Sequence, residues 1–465
     1  MVDFKDLSRN DLDQADNQSY VGKWGKGLSE ELIRNISAEK KEPQWVLDIR
    51  LKALGIFLKK EMPNWGPDIS ALKLDEICYY AAADQDSNQK SWDDVDPEIK
   101  RTFERLKIPE SEQEFLAGVG AQYDSEMVYH NLKEEWESKG VIFLDFDVAI
   151  QTHPELVKKY FTKCIPINDH KFSALHFAIF SGGTFLYVPA HVKIDQPLQA
   201  YFRMNAQNGG QFEHTLIVVE EGAEVEYIEG CSAPKFGSNS LHAGGVEVFV
   251  APNARVRYSS VENWSTDTFN LNTKRSIVQE NGIMEWIGGN LGSQTTMLYP
   301  CSILVGDRAR ADHLGVAFAN KNQNQDTGAK IIIVGKNCRA TVVSKSLSKG
   351  GGISTYRGLI DVKETADNAT LNIECDALML DGISVSDTIP HVVCANETAS
   401  ITHEASAGKI DEEVIAYFAS RGIDEEAAKG IVVNGFLNEI VKTLPLEYAG
   451  ELNRLIELEM EGSIG

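Results

Sequence analysis

One short pattern recurs along the middle of the chain at a near-constant spacing. Each copy has an aliphatic residue, three turn-forming residues, a small residue and then alternating apolar positions; the clearest copies read VEEGAEVEY from Val219, VAPNARVRY from Val250 and VQENGIMEW from Val278. The small residues recur every 27 to 31 positions, at Ala223, Ala254, Gly282, Ala309, Cys338, Ala369 and Ala399. Alternation with a period of two indicates strands, and a fixed longer period indicates a solenoid.

The repeat therefore predicts a mainly β protein whose centre is a right-handed parallel β-helix. Each coil contributes one rung, and neighbouring rungs pair at about 4.8 Å. A helical solenoid is excluded because the apolar positions alternate. The other all-β possibility is a sandwich of hairpins, which would place strands at shorter spacing without a longer repeat.

Helical patterns flank this region on both sides. We expect an N-terminal helical region over 1–160, a β-helix core over 161–408 and a C-terminal helical region over 409–465. In the first region the pattern predicts helices over 28–36, from Pro43, near 112–139 and near 153–162. In the last region, amphipathic segments begin at Ile410, Glu425 and Glu447. Such a tail either caps the open end of a solenoid or docks a partner.

Composition narrows the functional classes. Asp and Glu number 69 against 45 Lys and Arg, which gives a net charge of −24 and argues against nucleic acid and anionic lipid as partners. No apolar run is long enough to span a membrane, and the start resembles no secretory signal, so we expect a cytoplasmic protein. The seven cysteines include no Cys-x2-Cys pair, which argues against disulfides and a zinc knuckle.

Common catalytic motifs are broken or missing. Gly335-Lys336 resembles the end of a phosphate-binding loop, but Asn337 stands where a Ser or Thr should hold magnesium. His403-Glu404 lacks the second histidine of a zinc protease, and there is no nucleophile elbow. We therefore expect a protein without hydrolytic activity of its own.

The repeat register brings three chemically suitable side chains together. Cys375 follows its coil's small residue by six positions, and Glu404 follows the next coil's by five, with His403 beside it. Residues on neighbouring rungs lie about 5 Å apart. A thiolate, a carboxylate and an imidazole can together bind a metal such as iron. The alternative is a buried structural cysteine near a solvated Glu-His turn.

A second cysteine lies at the end of a strand in the first regular coil. Cys231 stands between Gly230 and Ser232, where we expect a more accessible thiol than inside a strand. Five coils separate it from Cys375, about 24 Å along the solenoid. Two active thiols this far apart would either act in different steps or need a species to pass from one thiol to the other.

Several segments, in order, resemble one known family. They are Gly27-Leu28-Ser29-Glu30-Glu31, Ile36 through Trp45, Gly230-Cys231-Ser232-Ala233-Pro234, Asn290-Leu291-Gly292-Ser293, Glu374-Cys375-Asp376 and Thr402-His403-Glu404-Ala405. Over nearly its full length the chain is similar to the SufB/SufD family of the SUF system for iron-sulfur cluster assembly. Within that family, the pair Cys375 and Glu404 favours the scaffold subunit.

The resemblance implies a function for each candidate residue. Cys231 would accept persulfide sulfur from a cysteine desulfurase and a sulfur-transfer protein. Sulfur would pass through the β-helix interior, lined in part by Arg203 and Asn205. Cys375, Glu404 and His403 would then hold a transient iron-sulfur cluster at a subunit interface.

The resemblance also implies partners. A SufC-type ATPase would dock on the C-terminal helices, and a SufD-type subunit or a second copy of this chain would complete the interface. Participation of a flavin is left open. Many family members carry a Cys-x2-Cys-x3-Cys motif in the N-terminal region, whereas segment 83–92 here contains no cysteine. Any function of that motif therefore does not transfer.

Two other functions are compatible with a β-helix. One is a carbohydrate-active enzyme such as a lyase, which would need a groove of acidic and basic residues on an outer face. The expected cytoplasmic location and the helical tail argue against it. The other is a structural solenoid that recruits an ATPase without handling metal.

Overall fold

A computed structural model describes residues 7–16, 20–23, 26–83, 88–106, 116–237, 239–444 and 446–461. The helices are α1 (Arg9–Asp13), α2 (Glu30–Glu39), α3 (Gln44–Lys59), α4 (Pro97–Arg105), α5 (Glu134–Ser138), α6 (Phe146–Thr152), α7 (Pro154–Tyr160), α8 (Lys171–Ile179), α9 (Glu412–Ser420), α10 (Glu425–Val441) and α11 (Leu446–Glu461). Single 3-10 turns cover Leu74–Glu76 and Trp92–Asp94.

The strands outnumber the helices. They are β1 (Tyr20–Lys23), β2 (Ala81–Ala83), β3 (Gly118–Tyr123), β4 (Glu126–Leu132), β5 (Ile142–Asp145), β6 (Thr184–Val188), β7 (Leu198–Arg203), β8 (Gly210–Gln211), β9 (His214–Val219), β10 (Glu224–Ser232), β11 (Ser240–His242), β12 (Gly245–Val250), β13 (Arg255–Trp264), β14 (Thr268–Asn270), β15 (Thr273–Val278), β16 (Ile283–Gly292), β17 (Thr295–Leu298), β18 (Cys301–Leu304), β19 (Arg310–Ala319), β20 (Asn324–Ile333), β21 (Arg339–Ser348), β22 (Ile353–Val362), β23 (Thr370–Met379), β24 (Val385–Cys394) and β25 (Ser400–Lys409).

The strands coil into a parallel β-solenoid of about eight turns, which confirms the predicted fold class. One sheet has the order β25-β23-β21-β19-β16-β13-β10-β7, continued by β3 and β4. The second sheet runs from β5 through β6, β9, β12, β15 and β18 to β20, which also pairs with β17 and β22. Helices flank the solenoid on both sides in sequence, and no described helix is long and apolar enough to cross a membrane.

The sequence repeat is the repeat of the coils. The residues that directly follow the seven small residues are aligned in register across the first sheet; they are Glu224, Arg255, Ile283, Arg310, Arg339, Thr370 and Ser400. Before several small residues the chain turns through the left-handed region, with φ of 59° at Asn253 and 52° at Asn281. Asn tolerates this conformation better than most residues, so these turns recur in the same place in successive coils.

Alternation along each strand divides the side chains between two environments. Inward residues such as Val256, Met284 and Val342 form the solenoid core, and the outward residues Val316 and Leu347 pack under helices. Helices α10 and α11 cover that outer face, and the N-terminal helices α2, α3 and α8 cover the second sheet. The tail therefore packs along the side of the solenoid.

One predicted helix is wrong. Residues 112–115 lie outside the described part of the chain, and the described residues 116–139 form the hairpin β3–β4 and only the short helix α5. Asp124 turns the hairpin at a φ of 52°, and β3 extends the parallel sheet by pairing with β7. Sheet pairing with a distant strand outweighs local helix propensity here. The helices predicted over 28–36, from Pro43 and near 153–162 are confirmed as α2, α3 and α7.

Candidate functional site

The thiol of Cys231 lies inside the solenoid. Strand β10 directs Cys231 inward together with Glu229, and the residue is 1% exposed, so the expected accessibility is wrong. The alternation of side chains, not the position at the end of the strand, determines where the thiol points. Burial raises the pKa of Cys231 well above its ordinary value, and the nearby Glu229 and Glu262 raise it further, while Lys274 opposes them.

Cys231 belongs to a buried network of charged groups. Its Sγ lies 3.9 Å from Oε1 of Glu229, and the Lys274 Nζ lies 3.4 Å from that same oxygen. Lys274 donates to Glu262 at 2.7 Å and to the Ser260 hydroxyl at 3.1 Å. A buried charge is tolerated only when it is paired, and here one ammonium lies between two carboxylates.

The network continues along the interior of the solenoid. Glu262 accepts a hydrogen bond from the Asn270 amide at 2.7 Å, and Asn270 in turn contacts His242 at 2.8 Å. His242 lies 2.6 Å from Glu213. Burial has the largest single effect on the pKa of His242 and lowers it, but the contacts with Glu213, Glu262 and Asn270 together outweigh burial, so the pKa is raised. The interior of the first coils therefore contains a buried polar network beside its apolar residues.

Arg203 and Asn205 lie near Cys231 but not beside its thiol. Arg203 is in register with Ser232 and donates to its hydroxyl at 3.1 Å, on the face of the sheet opposite to the Cys231 side chain. Its guanidinium also donates to the carbonyls of Leu12 and Gln14. The Asn205 amide donates to the Asp16 carbonyl at 3.0 Å and accepts from its N–H. Both side chains thus hold segment 12–16 over this end of β10.

Cys375 lies on the penultimate strand of the same sheet, beside a histidine. Its Sγ is 3.6 Å from Nε2 of His403 on β25, so these two residues lie on neighbouring rungs, as the repeat register predicts. The buried hydroxyl of Tyr356, on β22, lies near the thiol. Burial raises the pKa of Cys375 to about 12, with a further increase from Asp376 and Glu374.

Glu404 lies close in sequence but faces the other way. It is in register with Glu374, whereas Cys375 is in register with Ala405. Successive side chains of a strand point to opposite faces, so Glu404 and His403 diverge. Among the described residues, no group of three His, Cys, Asp or Glu is close enough to hold a metal ion. The structure thus joins two of the three predicted ligands within one chain.

A cavity of about 50 Å³ lies between the two sheets. Its lining includes Lys274 and Tyr356, but neither Cys231 nor Cys375. His313 also lines it and contacts the Ser302 hydroxyl at 2.9 Å, while its Nδ1 has no hydrogen-bond partner among the described residues. A space of this size holds a few water molecules.

The last coil is open. Among the described strands, β24 pairs only with β22 and β25 only with β23, so each has an edge that no described strand pairs with. The side chains of Val385, Ile389 and Val392 on β24 are 41 to 47% exposed. An exposed apolar edge strand is a site for pairing with another chain. Cys394, the exposed cysteine among the seven, also lies here.

Sequence reasoning missed the buried network and His313. Lys274, Glu229 and Glu262 occupy inward positions of strands that also carry inward apolar residues such as Val225, Val256 and Val278. Charged residues at such positions break the apolar pattern, and this break could have been detected in the sequence. The pairing of Lys274 with Glu229 and Glu262 could not be predicted from the sequence, because it joins residues of the two different sheets.

Comparisons with known proteins agree with this architecture. A family model for the SUF system FeS cluster assembly SufBD core domain matches residues 202–436, and one for the SufBD N-terminal region matches residues 101–200. The chain is 52% identical over 440 residues to iron-sulfur cluster assembly SufBD family proteins of Staphylococcus haemolyticus and Staphylococcus aureus, covering 95% of this chain and 94% of each relative. The chain therefore belongs to the SufBD family of iron-sulfur cluster assembly proteins.

Proposed function

We propose that this chain is the SufB-type scaffold subunit of its family. In this function Cys231 accepts sulfur as a persulfide, the sulfur passes through the solenoid to Cys375, and iron joins it there to form a transient cluster that is released. The scaffold has no hydrolytic activity of its own. The contact between Cys375 and His403 on the last two rungs carries this proposal, because it combines a soft and a borderline iron ligand beside an open edge.

The network around Cys231 suits the first step. The thiol must lose its proton before it attacks the outer sulfur of a donor persulfide, whose own thiolate then leaves as the S–S bond breaks. Glu229 is positioned to take that proton, and burial raises its pKa, which makes it a stronger base. Lys274 then compensates the negative charge of the thiolate and of the persulfide that replaces it. A cysteine desulfurase with a sulfur-transfer protein is the source of sulfur in this scheme.

The cavity between the sheets is the proposed route from Cys231 to Cys375. Its lining includes Lys274, which belongs to the Cys231 network, and Tyr356, which lies near Cys375. Arg203 and Asn205 act outside it, where they hold segment 12–16 against the outer face of the end of β10. We therefore assign these two residues to controlling access rather than to lining the route.

The open last coil is the proposed interface with a second subunit, either SufD-type or another copy of this chain. Pairing at the edge of β25 would bring further ligands to Cys375 and His403, and a subunit approaching the other face would reach Glu404. The chemistry belongs in the cytoplasm, a reducing compartment that keeps cysteines as thiols, in line with the seven free cysteines of this chain.

The C-terminal region offers a surface for a SufC-type ATPase. Helices α10 and α11 pack against the solenoid, whereas α9 leaves Val414 39% exposed and Tyr417 58% exposed. Nucleotide-driven movement of an ATPase bound at α9 would be transmitted to the last coil, because β25 leads directly into this helix.

Anaerobic reconstitution with Fe²⁺ and sulfide tests the proposal. We expect the wild-type chain, in complex with its ATPase and second subunit, to develop visible absorption, and Cys375→Ser to lose most of it. Cys394→Ser is the matched control, since this cysteine is exposed on the same coil and should leave the absorption unchanged. Equal absorption of Cys375→Ser and wild type would contradict the metal site and favour a purely structural solenoid.

A further inference from the structure

A second site lies on the outer face of the second sheet, away from both thiols of the proposed pathway. A cleft of about 610 Å³ opens between the chain that follows α3, the start of α8 and strands β15, β18 and β20. Its volume is typical of sites for small molecules. Neither the family comparisons nor the proposed function assigns anything to it.

The floor of the cleft is a ladder of three side chains in register. Arg275 on β15 pairs with Cys301 on β18, and Cys301 pairs with Lys330 on β20. Two cations thus flank a thiol on successive rungs. At the rim, Lys60 and Lys171 add further positive charge. This concentration of cations stands out in a chain with a net charge of −24.

The carboxylates nearby pair with some of the cations in this part of the chain, and Glu61 also lines the cleft. Asp169 is paired with Arg275 at 2.6 Å, and Asp326 is held by Arg357 at 2.6 Å. Lys330 forms no ion pair within the described part of the chain, and its Nζ lies 5.2 Å from the centre of the Tyr299 ring. Burial lowers the pKa of Lys330. Its amino group therefore faces the cleft without an anionic partner.

Two buried donors at the same place also lack partners. Nε of Arg275 and Nδ2 of Asn272 are buried and have no hydrogen-bond acceptor among the residues that the structure describes. Asn272 is 5% exposed. Leaving a buried donor unsatisfied costs about 1–3 kcal/mol, so such groups normally indicate a missing acceptor. Together with Lys330 they present converging donors of the kind that bind phosphate oxygens.

Aromatic rings form one wall of the cleft. The centres of the Trp65 and Tyr299 rings lie 5.8 Å apart at an angle of 46°. Trp65 is 47% exposed, so much of its indole is open to a ligand. An exposed indole beside free cations suits a ligand that combines a flat ring with negative charge.

We propose that this cleft binds a small phosphate-bearing ring compound of the nucleoside monophosphate kind. The phosphate lies against Lys330, Arg275 and Asn272, and the ring lies against Trp65. The site is independent of the proposed sulfur pathway, so its failure would leave that proposal untouched.

Calorimetric titration of the full chain with three probes tests both halves of the ligand. AMP carries ring and phosphate, adenosine carries the ring alone, and inorganic phosphate carries the anion alone. We expect AMP to bind at least about tenfold more tightly than either of the others.

Variants test the individual contacts. Lys330→Gln should weaken AMP binding about tenfold or more, and Trp65→Ala should reduce the affinity for AMP toward that for phosphate. Lys321→Gln, at an exposed lysine elsewhere on the solenoid, is the matched control and should change nothing.

A chemical label keeps the test independent of any variant that folds poorly. Pyridoxal phosphate forms an imine with an accessible amine, releasing water, and borohydride reduces the C=N bond to a stable amine that mass spectrometry locates. We expect preferential labelling of Lys330 in the wild-type chain and protection by AMP. Labelling spread evenly over exposed lysines, AMP binding no tighter than phosphate, or an unchanged affinity in Lys330→Gln would each overturn the proposal.

Discussion

The Sγ atom of Cys375 and Nε2 of His403 lie 3.6 Å apart, diagonally across the last two strands of the first sheet. His403 is in register with Ile373, two residues before Cys375, so both side chains point to the same face of the sheet. Glu404 points to the opposite face. Of the three predicted ligands, Cys375 and His403 thus lie together on one face of the sheet, and the Glu404 carboxylate lies on the opposite face.

This division predicts different effects of two neighbouring substitutions. His403→Gln should weaken Fe²⁺ binding to the isolated chain by about tenfold, or about 1.4 kcal/mol. Glu404→Gln should change little in the isolated chain and lower cluster formation only in the assembly with the second subunit. Iron titration of both variants, alone and in the assembly, measures this. Equal losses in the isolated chain would show that Glu404 reaches the same metal.

The ammonium of Lys274 stabilises two buried carboxylates, so its removal should be costly. Lys274→Met leaves Glu229 and Glu262 without their cation, and breaking such a pair costs about 3–5 kcal/mol. Protonation relieves the carboxylates, so the deficit should be greatest near pH 8 and smaller near pH 5. Urea unfolding at both pH values measures it, with Lys321→Met as the exposed control. A deficit that does not depend on pH would argue against this charge pairing.

His313 should make the fold sensitive to acid. Burial lowers the pKa of His313 to about 3, from an ordinary value of 6.5. Between pH 6.5 and about 3, His313 is therefore protonated in the unfolded chain but neutral in the folded chain. Proton binding thus favours the unfolded state, and the contribution of His313 to stability falls as the pH drops through this window. His313→Gln removes that contribution. Urea unfolding of both proteins between pH 7 and 4.5 measures this effect. As the pH falls, the free energy of unfolding should decrease more for wild type than for His313→Gln. A difference between the two proteins that stays constant with pH would contradict the assignment.

Segment 12–16 packs on the outer face of the end of β10, so releasing it should let this end of the strand open and expose Cys231. Arg203→Met removes two hydrogen bonds to the carbonyls of Leu12 and Gln14, each worth about 1 kcal/mol, so local opening should increase about tenfold or more. Alkylation of Cys231, followed by mass spectrometry of its peptide, measures the opening. Arg255→Met, which removes an ion pair with Glu285 on the solenoid surface, is the control. Unchanged alkylation in Arg203→Met would exclude this segment as a cover.

Helix α9 should carry the ATPase contact. Tyr417→Ala combined with Val414→Ser removes exposed apolar surface without disturbing α10 or α11, and we expect at least about tenfold weaker binding of the SufC-type ATPase in a pull-down or calorimetric titration. Leu58→Ala, at a residue that is 67% exposed on α3, is the matched control. Undiminished binding would move the docking site to another face.

Much of the fold was predictable because every coil of the solenoid repeats the same short sequence pattern. Each coil needs a turn, a small residue and an alternating strand, so the aligned residues from Glu224 to Ser400 could be assigned from spacing alone. The hairpin β3–β4 could not, because its strands are stabilised by pairing with β7 rather than by local preference. The proximity of Cys375 and His403 followed from the repeat, since parallel strands in register convert sequence spacing into distance.

The sequence by itself determined the solenoid, the order of its rungs and the separation of the two thiols along it. Tertiary structure alone decided what each inward residue meets across the interior. It paired Lys274 of the second sheet with Glu229 and Glu262 of the first sheet. The reason is physical: spacing along a chain specifies position on a rung, whereas a contact between sheets depends on how two independent faces pack against each other.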